Sequence, residues 1–228
     1  MRLAPLALLV AVLAVPVAAA AAPELRVTGT GTATAAPDMA TIRLGVSHEA
    51  RTAVEAMDRV SADLADVLSE LRAAGLEGRD IQTSGLSLSP VWTDYSSGSD
   101  RKITGYSASN GVTVRVRALD GLGPLLDTVI GEGANTLDSL SFGLQDPGPV
   151  QDEARRAAVA EAMRKARLFA EALGQGLGPL VSLTEEGAEA PMPMKMAARA
   201  LGESMPMAEG ELEIGATVTM VFELSGAD

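Results

Sequence analysis

Few residues in this chain could start chemistry. There is one histidine, His48, and no cysteine. A thiolate nucleophile, a Cys–His pair and a conventional zinc site are therefore out of reach within one chain. His48-Glu49 opens like the HExxH zinc motif, but position 52 is Thr and no second imidazole follows, so that metalloprotease pattern is excluded. His48 reads instead as a solvated side chain just past a strand, on its exposed side. Ser99-Asp100-Arg101-Lys102 has the SxxK spacing of certain serine acyl-transfer enzymes, where the serine opens a helix inside a pocket. Here the run sits in a loop beside Gly98, without partner motifs. Asp94, Ser96 and Asp100 offer the hard oxygens calcium prefers, yet lack the regular spacing and closing glutamate of an EF-hand loop. Gly29-x-Gly31 has no third glycine and precedes a strand, not a helix, so it is no phosphate cradle. No catalytic residue is assigned, no cofactor is expected, and the chain reads as a non-enzyme.

Sulfur is more plentiful. Met192, Met194, Met196, Met205 and Met207 fall in a Met/Pro/Ala/Glu-rich loop over residues 187–210. Thioethers are soft, uncharged ligands suited to Cu(I), and exposed methionines can absorb oxidants reversibly. The plainer alternative is a compositional insert, or one that packs on a neighbouring subunit. Trp92, Tyr95 and Tyr106 gather about a polar loop at residues 91–102 and are candidates for partner contact, since aromatics in exposed loops suit interfaces. Covering one end of the core is the competing role.

The compartment follows from the first residues. Arg2, the apolar run Leu6 to Val15 and Ala18-Ala19-Ala20 have the order of a cleaved secretory leader, residues 1–21, with the cut after Ala20 or Ala21. The apolar run is too short, and Pro16 too disruptive, for a comfortable membrane span. A periplasmic or extracellular location is expected. The remaining residues 22–228, read as a single domain, suffice for one sizeable core or two small ones and contain no later stretch of membrane-spanning length. The formal net charge of −12, with Lys and Arg scattered, argues against nucleic acid and anionic lipid as partners.

Residues 25–34 read as a Thr/Gly-rich edge strand. After the Pro37-Asp38 turn, Ala40, Ile42, Leu44 and Val46 alternate with Thr41, Arg43 and Ser47, the pattern of a strand with one wet face. Thr52 to Glu55 is a capping box, in which Thr52 accepts from the third backbone N–H and Glu55 reaches back. Val54, Met57, Val60, Leu64, Val67, Leu68 and Leu71 follow at helical spacing to Gly75. Strands are expected over 80–89, ending at Pro90, and over 103–116, 136–144, 180–184 and 214–224. Further helices are expected over 120–131 and 148–173, the second after an Asp146-Pro147 cap and with an alanine-rich face that allows close approach to a sheet. The segments 38–89 and 103–147 repeat strand–helix–strand. The whole predicts an α+β fold, an antiparallel sheet with the helices 52–74, 120–131 and 148–173 on one face.

Six segments in order carry a resemblance. They are Val27-x-Gly29-x-Gly31 with Pro37-Asp38-x-Ala40; Asp80-Ile81-Gln82-Thr83; Ile103 to Asn110 leading into Val112-Thr113-Val114; Ser141-Phe142-Gly143-Leu144 with Asp146-Pro147; the series Ala154, Ala158, Ala162, Lys165-Ala166, Ala170 and Gly174; and Gly210-Glu211-x-Glu213-Ile214 through Phe222-Glu223-Leu224. Together they resemble SIMPL-domain proteins (domain of unknown function 541) over residues 24–225. The resemblance implies an exported, periplasmic or envelope-associated protein. Some relatives are described as periplasmic immunogenic proteins and others are linked to oxidative-stress tolerance. It implies no catalytic residue, and it makes oligomeric assembly plausible. The expected function is thus a non-catalytic binding or assembly protein that self-associates or meets an envelope protein. The alternatives are a small-ligand or Cu(I)-binding protein and a hydrolase using Ser, Asp or Lys.

Overall fold

The computed structural model describes residues 23–92, 102–187, 192–193 and 208–226. Residues 1–22, Tyr95, and the loop residues Asp94, Ser96, Ser99 and Asp100 lie outside them. In chain order the elements are β1 (Glu24–Ala35), β2 (Met39–Ala50), α1 (Ala53–Ala73), β3 (Ile81–Trp92), β4 (Ile103–Val116), α2 (Leu122–Gly131), β5 (Thr136–Gly143), α3 (Gly148–Ala172), β6 (Gly176–Glu186), β7 (Met192–Pro193) and β8 (Leu212–Ser225). The fold is α+β, and all strand pairing is antiparallel. The strands divide between two sheets where the sequence reading expects one. The larger has the order β3-β4-β2-β5; the smaller has β1-β8-β6, with β7 also on β8.

Both strand–helix–strand segments lie in the larger sheet, which makes the split β-α-β-β-α-β arrangement. Ile42, Leu44 and Val46 of β2 and Val112, Val114 and Val116 of β4 face α1 and α2, and this core is built of Val, Leu and Ile. Helix α1 presents Ala56, Val60, Leu64, Val67 and Leu71 to it, at three- and four-residue intervals. Its start obeys half of the expected capping box. Thr52 accepts from the Glu55 N–H at 3.2 Å, while the Glu55 carboxylate accepts from Arg59 at 2.6 Å instead of turning back.

The smaller sheet pairs the two ends of the fold, β1 against β8 over twelve residues. Its helix, α3, buries Ala154, Ala158, Ala162, Ala166 and Ala170, one residue in four. Opposite them lie Gly29 and Gly31. A Cβ at Gly29 would sit 2.2 Å from the Ala158 carbonyl oxygen, and one at Gly31 2.2 Å from the Ala158 nitrogen. The Gly-x-Gly of β1 is therefore a seat for the alanine ridge. Asp146 accepts from the Gly148 N–H at 3.0 Å at the head of α3, and Gly174, at φ +65°, ends it. No described helix is long and apolar enough to cross a membrane.

Candidate functional site

Strand β3 is an edge of the larger sheet, with no strand on its outer side among the described residues. Its sequence, IQTSGLSLSPVW, contains no charged residue. Ten of its twelve residues are exposed, Leu86 by 62%, Leu88 by 45% and Trp92 by 43%. Ile103, opposite Trp92 at the far end of the β3–β4 pair, is exposed as well. Strands usually guard such edges with charges, with bulges, or by being short. Here the guard is two irregularities, a register shift between Val91 and Trp92 at the far end and one between Ser84 and Ser87 around Gly85, whose φ is +71°. Beyond Gly85, β3 runs through Pro90, where the sequence reading ends it. An edge strand tolerates proline because the missing N–H can face outward, away from the ladder. This extension places Trp92 on a strand rather than in a loop.

The other edges carry some charge, on β1 only at its start. On β6, Glu185 accepts from Arg155 at 2.8 Å and Glu186 from Thr219. Strand β1 begins with Glu24 and Arg26, and the short β5 carries Asp138.

Two of the aromatic candidates lie on the paired strands β3 and β4 and differ in burial. Trp92 is exposed on the edge strand, whereas Tyr106, opposite Ala50 and Pro90, is half-buried and packs against the core of the larger sheet. Tyr106 thus closes an end of that core. Of the methionines, Met192 opens β7 opposite Glu213; Met194, Met196, Met205 and Met207 lie outside the described residues.

His48 corrects the sequence reading. It lies within β2, opposite Ala108, and is part-buried, with its Nε2 2.6 Å from a carboxylate oxygen of Asp63 on α1. The signal was present: the alternation that turns Ile42, Leu44 and Val46 toward the helices continues to His48. Among the described residues no serine or threonine hydroxyl is hydrogen-bonded to it.

The sequence reading gave no role to a second polar cluster. Asp80 is buried at the entry to β3 and accepts two hydrogen bonds from Arg117, at 3.0 and 2.8 Å. Arg117 also donates to Gln145 at 3.3 Å. The Gln145 backbone N–H donates to the Asp38 carboxylate at 2.7 Å, and its amide to the Asp38 carbonyl at 3.0 Å. Asp38 sits between β1 and β2, and Gln145 between β5 and α3. Each is on a connector from one sheet to the other, so the network ties both crossings to the larger sheet. The Arg117 guanidinium holds the Asp80 carboxyl below its usual range, against the opposing effect of burial. The arrangement is a structural clamp, with both partners of the charge pair satisfied.

Comparison with known proteins shows the family. The family model described as SIMPL, protein of unknown function (DUF541), matches residues 25–222. The chain is 39% identical over 209 residues to the 26 kDa periplasmic immunogenic protein of Brucella melitensis biotype 1, covering 87% of this chain and 83% of that protein. It is 29% identical over 206 residues to the uncharacterized protein YggE of Escherichia coli K12, covering 88% and 83%. With YggE of Edwardsiella ictaluri it shares 32% over 156 residues, covering 68% and 65%.

Proposed function

The chain belongs to the SIMPL family of proteins of unknown function, and from that premise we propose that it is an exported, non-catalytic assembly protein of the bacterial periplasm. The observation that carries this reading is the uncharged, exposed edge of β3. A strand with free backbone donors and acceptors on one side is a template for another strand, and main-chain pairing gives such docking its affinity. The occupant is a second copy of this chain, or failing that an envelope protein offering an extended segment. The periplasmic assignment is supported by the name of the Brucella relative and by the leader-like order of residues 1–21. A contribution to envelope integrity and stress tolerance would follow from the assembly itself.

The non-catalytic part rests on the side chains. His48 is held by Asp63, and the buried Asp80 is held by Arg117. Neither pair has a nucleophile to activate among its hydrogen-bond partners. Native mass spectrometry of the protein, purified gently from the envelope fraction, tests the proposal. A closed multiple of the protomer mass is expected. A monomer at every concentration, with no co-purifying protein, would overturn it.

A further inference from the structure

Among the described residues, the face of the larger sheet turned away from α1 and α2 is open, and it is not flat. Two rows of polar residues cross it. In the first, Gln82 of β3, Thr113 of β4 and Arg43 of β2 are register neighbours. In the second, Ser87, Ser109 and Ser47 are. Between the rows, Ser84 lies opposite Gly111, Gly111 opposite Gly45, and Gly45 opposite Thr136. Two glycines in the middle of a sheet leave a floor without side chains. Register shifts on both outer pairs, at Ser84/Ser87 and at Arg43/Leu44, add twist on either side. The result is a trough of about 660 Å³, within the range of small-molecule sites. The floor cannot be filled by substitution, because a Cβ at Gly45 would meet the Asn110 carbonyl oxygen at 2.7 Å and one at Gly111 the Ser84 carbonyl oxygen at 2.9 Å.

The chemistry at one end is specific. The shift between β2 and β5 leaves Asp138 as an extra residue, since Leu137 opposes Leu44 and Ser139 opposes Arg43. Arg43 and Asp138 therefore line the trough from adjacent strands, whose spacing is about 4.8 Å. Both are exposed, and neither enters an ion pair or a side-chain hydrogen bond. Gln82, Thr113 and Thr136 likewise have no side-chain partner. A cation and an anion held this close suit a ligand that carries both charges on substituents of one carbon. A phosphate would find a single cation beside a repelling carboxylate. A sugar would find no aromatic ring to stack on, since none of the described residues lining the trough is aromatic.

We propose that this trough binds a polar α-amino acid. Its carboxylate pairs with Arg43, its ammonium group with Asp138, and its side chain lies over the glycine floor within reach of Gln82, Ser84 and Thr136. The site takes Gln82 and Ser84 from β3 but lies on the face of the sheet, and the proposal does not rest on assembly.

Calorimetric titration of the full-length exported protein with the free amino acids tests the proposal, with glutamine, N-acetylglutamine and glutaminamide as the diagnostic set. Saturable binding of glutamine or another polar amino acid is expected, weakened about tenfold or more by blocking either charged group. Arg43→Gln should become indifferent to amidation of the carboxylate, and Asp138→Asn to acetylation of the amine. Both variants should melt with the parent protein, because neither side chain has a partner in the fold. Equal affinity for blocked and free probes would overturn the assignment. So would N-acetylglucosamine or inorganic phosphate binding in place of amino acids, or no saturation by any amino acid below about 10 mM.

Discussion

The two sheets cover one face each with helix, but with different materials and different consequences. In the larger, Val, Leu and Ile fill the space between sheet and helices. In the smaller, α3 lies so close to Gly29 and Gly31 of β1 that only glycine fits there, and alanine rests on glycine, with Val27, Val218, Met220 and Phe222 filling the space around that contact. The edges of the smaller sheet carry charge, with Glu24 and Arg26 on β1 and the Glu185–Arg155 pair on β6. The larger sheet has an uncharged edge in β3 and an open face in its trough. The smaller sheet thus joins the chain ends into a closed body, while the larger presents the surfaces that can be occupied. Fragility should follow the same division: backbone contact has no slack, a side-chain core has some, and exposed working surfaces contribute little to stability.

The largest effect is expected at the alanine–glycine contact. Gly31→Val would drive two branches into the α3 backbone and should cost more than about 3 kcal/mol, read as the urea midpoint of the purified protein. If Gly31→Ala left that midpoint unchanged, the close contact would have no energetic weight. Next is the side-chain core, where Leu71→Ala, at a fully buried position, should cost about 3 kcal/mol in the same measurement. Smaller again is the clamp between the sheets. Asp80→Asn weakens a charge-assisted pair whose arginine is partly exposed, and a loss of about 1–2 kcal/mol is expected.

The clamp also sets an acid response. Asp80 is held below its usual range by Arg117, and Glu161 on α3 is pushed down to about 2 by two hydrogen bonds from Arg164. Both folded values lie below the unfolded ones, so each contribution is lost as the pH falls through the folded value; for Glu161 that interval runs from about pH 4.5 down to about 2. Thermal melts over that interval should show the midpoint dropping, with a shallower drop in Asp80→Asn. The smallest stability effect belongs to the edge. Leu86→Lys, at an exposed bulge residue, should leave the melting free energy within about 0.5 kcal/mol yet abolish the assembled species on a sizing column.

Elements with strong local periodicity were legible in the sequence. The alternation in β2, β4 and β8, the Thr52 cap of α1 and the alanine face of α3 stand as read. The division into two sheets was not legible, because the pairing of β1 with β8 joins residues almost the whole chain apart. Nor was the full length of β3. Its alternation breaks at the Gly85 bulge, and Pro90 resembles a terminator unless the strand is known to be an edge. The partner surface was half legible. Trp92 was singled out for being aromatic near a polar loop, but the absence of charge along β3 gained meaning only when its place at the edge was seen. The Asp38–Gln145–Arg117–Asp80 network was invisible for a related reason: its members are far apart in sequence and lie on turns and strand ends, where no periodicity marks them.

Hydrogen exchange on the exported protein, compared between dilute and concentrated solution, tests the central claim most directly. If β3 is the docking edge, the amides of residues 81–92 should gain protection with concentration, while those of β1, β5 and β6 exchange as before. Leu86→Lys should remove the gain. Protection that rises on β1 or β6 while β3 stays unchanged would contradict the account.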